Sequence, residues 1–242
     1  LPHYAREIPR PQKVLDAMED RGVRAAKILP QTSGTPLRPE LWGLLLNALE
    51  DERITLLLEQ PEQSWDDLFD LLTRHPELPV VLQKTKWGQQ RPLLAALERF
   101  PNLHVEFSCL QANRFIEHAV DRFGPFRFCF GTDLPLKSPG AARTYVDYAR
   151  ISESAKSAIA GENLVRLLGL KVPEVAFDPP DSPLVAAALE GRPLESIEVI
   201  DAHAHILHEG GNSAGQAYVQ LRGDADGMHE LNEWMGVDRC CI

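Results

Sequence analysis

The chain has 242 residues, 44% of them hydrophobic and 25% charged, enough to bury one large core or two modest ones. Its 35 acidic and 25 basic side chains leave a formal charge of −10, which argues against nucleic acid or an anionic membrane as partner, since both need a positive footprint. No apolar run approaches the ~20 residues of a membrane span, and Cys109, Cys129, Cys240 and Cys241 form no CxxC pair, which suits a reduced, cytoplasmic setting.

Short apolar runs then alternate with longer amphipathic stretches. Strands are predicted at residues 23–29 (VRAAKIL), 54–58 (ITLLL), 79–82 (PVVL), 103–107 (LHVEF) and 127–130 (RFCF). Helices are predicted between them, at 39–51, 64–74, 89–100 and 111–123. Ser64 with Asp67 three residues later makes a helix start, while Pro76 and Pro101 make stops. Strand and helix recurring about every 25 residues indicate parallel βα units. Units of such similar length favour a (β/α)8 barrel over an open doubly wound sheet, and no GxGxxG follows any strand.

Beyond Gly131-Thr132-Asp133 come helical stretches at 141–150 and 152–168, and Gly169 reads as a helix C-cap. The proline-rich KVPEVAFDPPDSPL opens a linker assigned to 171–196, with a short amphipathic piece at 184–190. A new strand at 197–200, a helix at 226–235 and a strand at 237–242 follow; the adjacent Cys240-Cys241 reads as buried strand. A start at Leu1 without methionine, no signal peptide, and a stop at Ile242 inside an apolar run suit a piece of a longer protein.

The stretch EVIDAHAHILHEGG (198–211) carries the most metal-like pattern. Residues two apart in a strand share a face, so Asp201, His203 and His205 project together, and two imidazoles at a strand end can chelate one divalent cation. The bland alternative is a pair of surface histidines in a polar loop. His208 falls beyond the strand, in the loop. Asp133, just past RFCF, stands where a barrel enzyme gathers its site, and could bind metal or take a proton from water; otherwise it caps the turn before Pro135.

Together with IDAHAHI, two further stretches carry a resemblance: FPNLHVEFS…RFGPFRFCFGTDLPL and ISESAKSAIAGENLVRLLGL. The chain resembles the amidohydrolase superfamily, in the amidohydrolase-related branch that includes aminocarboxymuconate-semialdehyde decarboxylase. The resemblance implies that His203 and His205 are metal ligands and that Asp133 is both ligand and catalytic base. It implies a divalent metal, with zinc expected, and a metal-dependent hydrolase acting on a small polar substrate through metal-activated water. Non-oxidative decarboxylation is the other activity it allows. The expected partner is that small molecule, with no nucleic acid and no membrane; homo-oligomerisation stays open.

Family order places the HxH strand before the aspartate, whereas here it comes after. Residues 1–170 then read as the C-terminal part of an incomplete TIM-like barrel, and 197–242 as the opening strands and helix of a second one. In the alternative, permuted arrangement the late segment closes the first barrel, seating its strands against residues 127–130, because first and last barrel strands are neighbours. The family's histidines after its fifth and sixth strands are replaced by Glu59 or Gln60 and by Gln83. That departure motivates the alternative function, a degenerate, non-catalytic barrel used for binding or scaffolding. Lys27 matches a lysine common in the family and reads as a structural or substrate-facing cation. Lys84-Thr85-Lys86-Trp87 could contact an anionic substrate or form a solvated loop, and the loop is the preferred reading.

Overall fold

The apolar runs at 23–130 pair side by side in the order in which they occur. In this computed structural model, which describes residues 10–171, 181–207 and 223–241, they form strands β1 (Ala25–Ile28), β2 (Thr55–Glu59), β3 (Val80–Gln83), β4 (Leu103–Glu106) and β5 (Phe128–Cys129). The sheet runs β1-β2-β3-β4-β5 and every pair is parallel, as predicted for sequential βα units rather than for a doubly wound sheet. Parallel neighbours need a crossover helix. These are α2 (Pro39–Asp51), α3 (Trp65–Arg74), α4 (Gln90–Arg99) and α5 (Phe115–Phe123), while α1 (Pro11–Asp20) precedes β1. Val80, Val81, Leu82 and all four residues of β4 are buried, the signature of strands covered on both faces.

Local chemistry sets the helix ends. Pro39 opens α2, and Trp42, Leu45, Leu46 and Leu49 turn to the core at helical spacing. Ser64 Oγ accepts from the backbone N–H of Asp67 at 3.1 Å, so α3 starts where predicted. α5 begins at Phe115 rather than 111 because Arg114 takes a left-handed φ of 55°, which no helix can include.

After β5 come α6 (Pro139–Asp147) and α7 (Glu153–Ser157), which passes through a π turn (Ala158–Glu162) into α8 (Asn163–Leu168). Gly169 ends α8 with φ 59°, the predicted C-cap. The π turn and the start of α8 meet the sheet: Phe130 N–H donates to the Ile159 carbonyl at 2.9 Å, and the Asn163 side-chain Nδ2 donates to the Phe128 carbonyl at 2.8 Å.

Past residue 180 lie α9 (Pro183–Leu189), β6 (Ile200–Asp201), α10 (Ala225–Met235) and β7 (Arg239–Cys240). β6 and β7 pair with each other in parallel, as a separate two-stranded sheet. Among the described residues neither pairs with β5, so the late strands do not seat against residues 127–130; the π turn meets that edge instead. A two-residue pair covers little, and Cys240 is half-buried and Cys241 exposed rather than both buried. His208 and residues 172–180 of the proline-rich linker lie outside the described residues. No described helix is long and apolar enough to cross a membrane.

Candidate active site

A parallel sheet wound in chain order delivers the C-terminal ends of all its strands to one edge, and charged groups collect there. Lys27 Nζ lies 2.5 Å from Glu59 Oε1, and Lys84 Nζ lies 3.1 Å from Glu59 Oε2 and 3.5 Å from Asp133 Oδ1. The side chains are only 13% (Glu59) and 12% (Asp133) exposed, with Lys84 at 29% and Lys27 at 35%. Lys84 and Asp133 both adopt left-handed backbone, φ 56° and 55°, which is uncommon for residues other than glycine and clusters at functional sites.

These contacts set the charges. Burial pushes the Glu59 carboxyl up, but hydrogen bonds from Lys27 and Lys84 and the attraction of both ammoniums outweigh it, so the net shift is below the usual range. The hydrogen bond to Glu59 raises the Lys84 ammonium above its ordinary value, with the charges of Glu59 and Asp133 adding to it against burial.

Beside this network, Glu106 ends β4 in the core and accepts from both the backbone N–H and the hydroxyl of Ser108, the latter at 2.8 Å. Burial pushes its carboxyl up, and those Ser108 bonds oppose the shift. Gly131 packs so closely that a Cβ there would run into the Glu106 carboxylate. Lys137 Nζ lies 2.9 Å from Cys109 Sγ, which is 4.0 Å from Asp133 Oδ2.

Of the residues singled out in the sequence, Lys27, Glu59 and Asp133 thus belong to one network. Gln83 ends β3 with its Oε1 buried and without a hydrogen-bond partner among the described residues, and Gln60 opens a short 3-10 turn. Lys84 is not part of a solvated loop: it is the centre of the network, and Thr85 beside it is fully buried. Glu106, Cys109 and Lys137 were not anticipated. Of these Glu106 has a readable signal, a carboxylate closing a fully buried strand.

The HxH pair lies elsewhere. His203 and His205 follow β6 and are exposed; their rings meet edge-on with centroids 4.8 Å apart and Nε2 atoms 3.0 Å apart. Asp201 Oδ1 accepts from the His203 backbone N–H at 2.9 Å, so this carboxylate shapes the turn. Both imidazoles line a cavity of about 980 Å3 with Trp87, Tyr145, Arg150 and Trp234, and Asp133 is not among its lining residues. Two nitrogens on one tetrahedral zinc lie about 3.3 Å apart, so the imidazole spacing fits two ligand positions. The mouth does not fit a metal, because Lys84 fills the space between Glu59 and Asp133. Among the described residues no three His, Cys, Asp or Glu side chains gather as a metal-holding group.

A row of parallel βα units in chain order, with its ionisable groups at the C-terminal edge, is consistent with a TIM-like fold. The chain belongs to the amidohydrolase family, whose model matches residues 11–170. Among solved structures it is similar to 5-carboxyvanillate decarboxylase LigW from Sphingomonas paucimobilis, with 13% identity, TM-score 0.53, and coverage of 68% of this chain and 64% of that one. It is similar to 2,6-dihydroxybenzoate decarboxylase from Rhizobium, with 16% identity, TM-score 0.52 and 66% coverage of each. An uncharacterized TIM-barrel protein from Bordetella bronchiseptica matches with 19% identity, TM-score 0.54, and coverage of 65% of this chain and 61% of that one. At these identities the likeness establishes the fold, and the chain spans 61% to 66% of the length of these three proteins. No curated protein matches it.

Proposed function

We propose that the protein is a metal-dependent enzyme of the amidohydrolase family acting on a small polar substrate, as a hydrolase or a non-oxidative decarboxylase. His203 and His205 would hold the divalent ion, expected to be zinc; because Asp133 does not line their cavity, its counterpart in the second barrel would take the proton there, and Asp133 would serve the separate mouth of residues 1–170. When bound, such an ion supplies Lewis acidity and brings the pKa of water toward neutrality. The observation that carries this reading is the pair of Nε2 atoms 3.0 Å apart on the wall of the 980 Å3 cavity. The domain reading goes with it: residues 197–242 would supply the opening strands of a second or permuted barrel, after the amidohydrolase part at 1–170. The test is zinc content after dialysis, by elemental analysis, for the native chain and for His203→Ala plus His205→Ala. One equivalent lost in the double variant is expected; an unchanged stoichiometry rejects the assignment.

The second reading, a non-catalytic barrel part used for binding or scaffolding, is favoured by one observation: Lys84 Nζ stands between Glu59 and Asp133. It expects residues 1–170 to take up no metal at near-stoichiometric zinc, and tight binding there would count against it.

A further inference from the structure

We infer that the Lys84 ammonium is the resident cation of the mouth formed by residues 11–170, and that it closes the Glu59–Asp133 carboxylate pair to divalent ions. This rests on the family placement of the mouth and not on the assignment of His203 and His205. Two carboxylates arrive from separate places in the chain, one ending β2 and one following β5, and Lys84 meets both, at 3.1 Å and 3.5 Å. Neither carboxylate has water on most of its surface, so each needs a counter-charge close by. With Lys27 on the far oxygen of Glu59, two ammoniums face these two carboxylates, and the four groups balance without any ion from solution. A divalent ion entering between Glu59 and Asp133 would have to displace Lys84 from both and would then stand against the nearby charges of Lys84 and Lys27. The left-handed backbone at Lys84 and at Asp133 turns both residues at the strand ends, where the pair forms.

The test uses the full chain carrying His203→Ala and His205→Ala, so that the imidazole pair cannot answer for the mouth. Manganese(II) is the probe, because carboxylate oxygens suit it. With Lys84 in place, millimolar manganese leaves Tm unchanged. With Lys84→Met, Tm falls without the ion, and manganese raises it by about 3 °C, the shift expected of an ion at several times its dissociation constant. Adding Asp133→Asn removes that rise. The inference is overturned if manganese raises Tm while Lys84 is present and Asp133→Asn abolishes the effect. It is equally overturned if a folded Lys84→Met chain shows no response. A check needing no Lys84 variant is EDTA treatment, which leaves Tm unchanged; a fall that Asp133→Asn removes would contradict the inference. Failure of the zinc site at His203 and His205 shows separately, as absent zinc in the native chain.

Discussion

Glu59 shows how one position can change the character of a site. Its carboxylate is mostly shielded from water, and the chain answers the negative charge with Lys27 at 2.5 Å and Lys84 at 3.1 Å. Its folded pKa lies below the unfolded value, so the stability it contributes is present above the unfolded pKa and is lost as pH falls through the folded one. Lys84 has the opposite sign: raised when folded, it contributes below its unfolded pKa and loses that contribution as pH rises through the folded value. Between these limits the Glu59–Lys84 pair is fully charged. Glu59→Gln leaves two lysines facing a neutral amide and should cost about 2 kcal/mol at neutral pH, below the range for breaking a fully buried pair because the lysines keep some water. Urea unfolding at neutral pH and well into the acid checks this: the penalty should fade as Glu59 protonates in the native chain. A penalty that persists undiminished in acid would mean that packing, not charge, is lost.

At the scale of elements, the helix starts and strand cores could be read from the sequence because their causes are local. Ser64 holds the Asp67 N–H at 3.1 Å, while Leu68, Leu71 and Leu72 bury the face that follows. Ser64→Ala should therefore destabilise by about 1 kcal/mol, read as a lowered urea midpoint with unchanged slope. An unchanged midpoint would show that α3 is held by its buried leucines alone. What could not be read depends on partners distant in sequence. Residue 114 gives no local sign of a left-handed turn, so α5 starts later than its apolar pattern suggests. Lys84 follows a buried strand inside a run rich in lysine and looks like solvated loop. Its role appears only when parallel pairing places Glu59 and Asp133 on either side of it. The place of Glu106 at a strand end could be read, and the place of Asp133 just past β5 was read. His203 and His205 read as sharing one face of a strand; their rings do meet, edge-on, although they follow β6 rather than lie within it.

Across the whole molecule, the late segment reaches the barrel part through α10. Arg114 Nη2 and Arg150 Nη1 both bind Glu230 Oε1, at 2.8 Å and 2.7 Å, and the Arg150 guanidinium lies 4.3 Å over the Trp234 ring. The cavity that His203 and His205 line has walls from both parts, with Tyr145 and Arg150 on one side and Trp234 on the other. Whatever loosens α10 therefore opens that cavity without touching the parallel sheet. The Glu230 carboxylate is more than a third exposed, so its two ion pairs together are worth only about 1 kcal/mol and are screened by salt. Glu230→Gln should thus raise amide exchange across Ala225–Met235 roughly fivefold, since 1.4 kcal/mol corresponds to about tenfold. High salt should bring the native chain toward the same rate, while exchange in β2, β3 and β4 stays as it was. Equal acceleration in those strands would mean that the two parts unfold together, and that the clamp at Glu230 is a contribution to global stability rather than a local hold on the cavity.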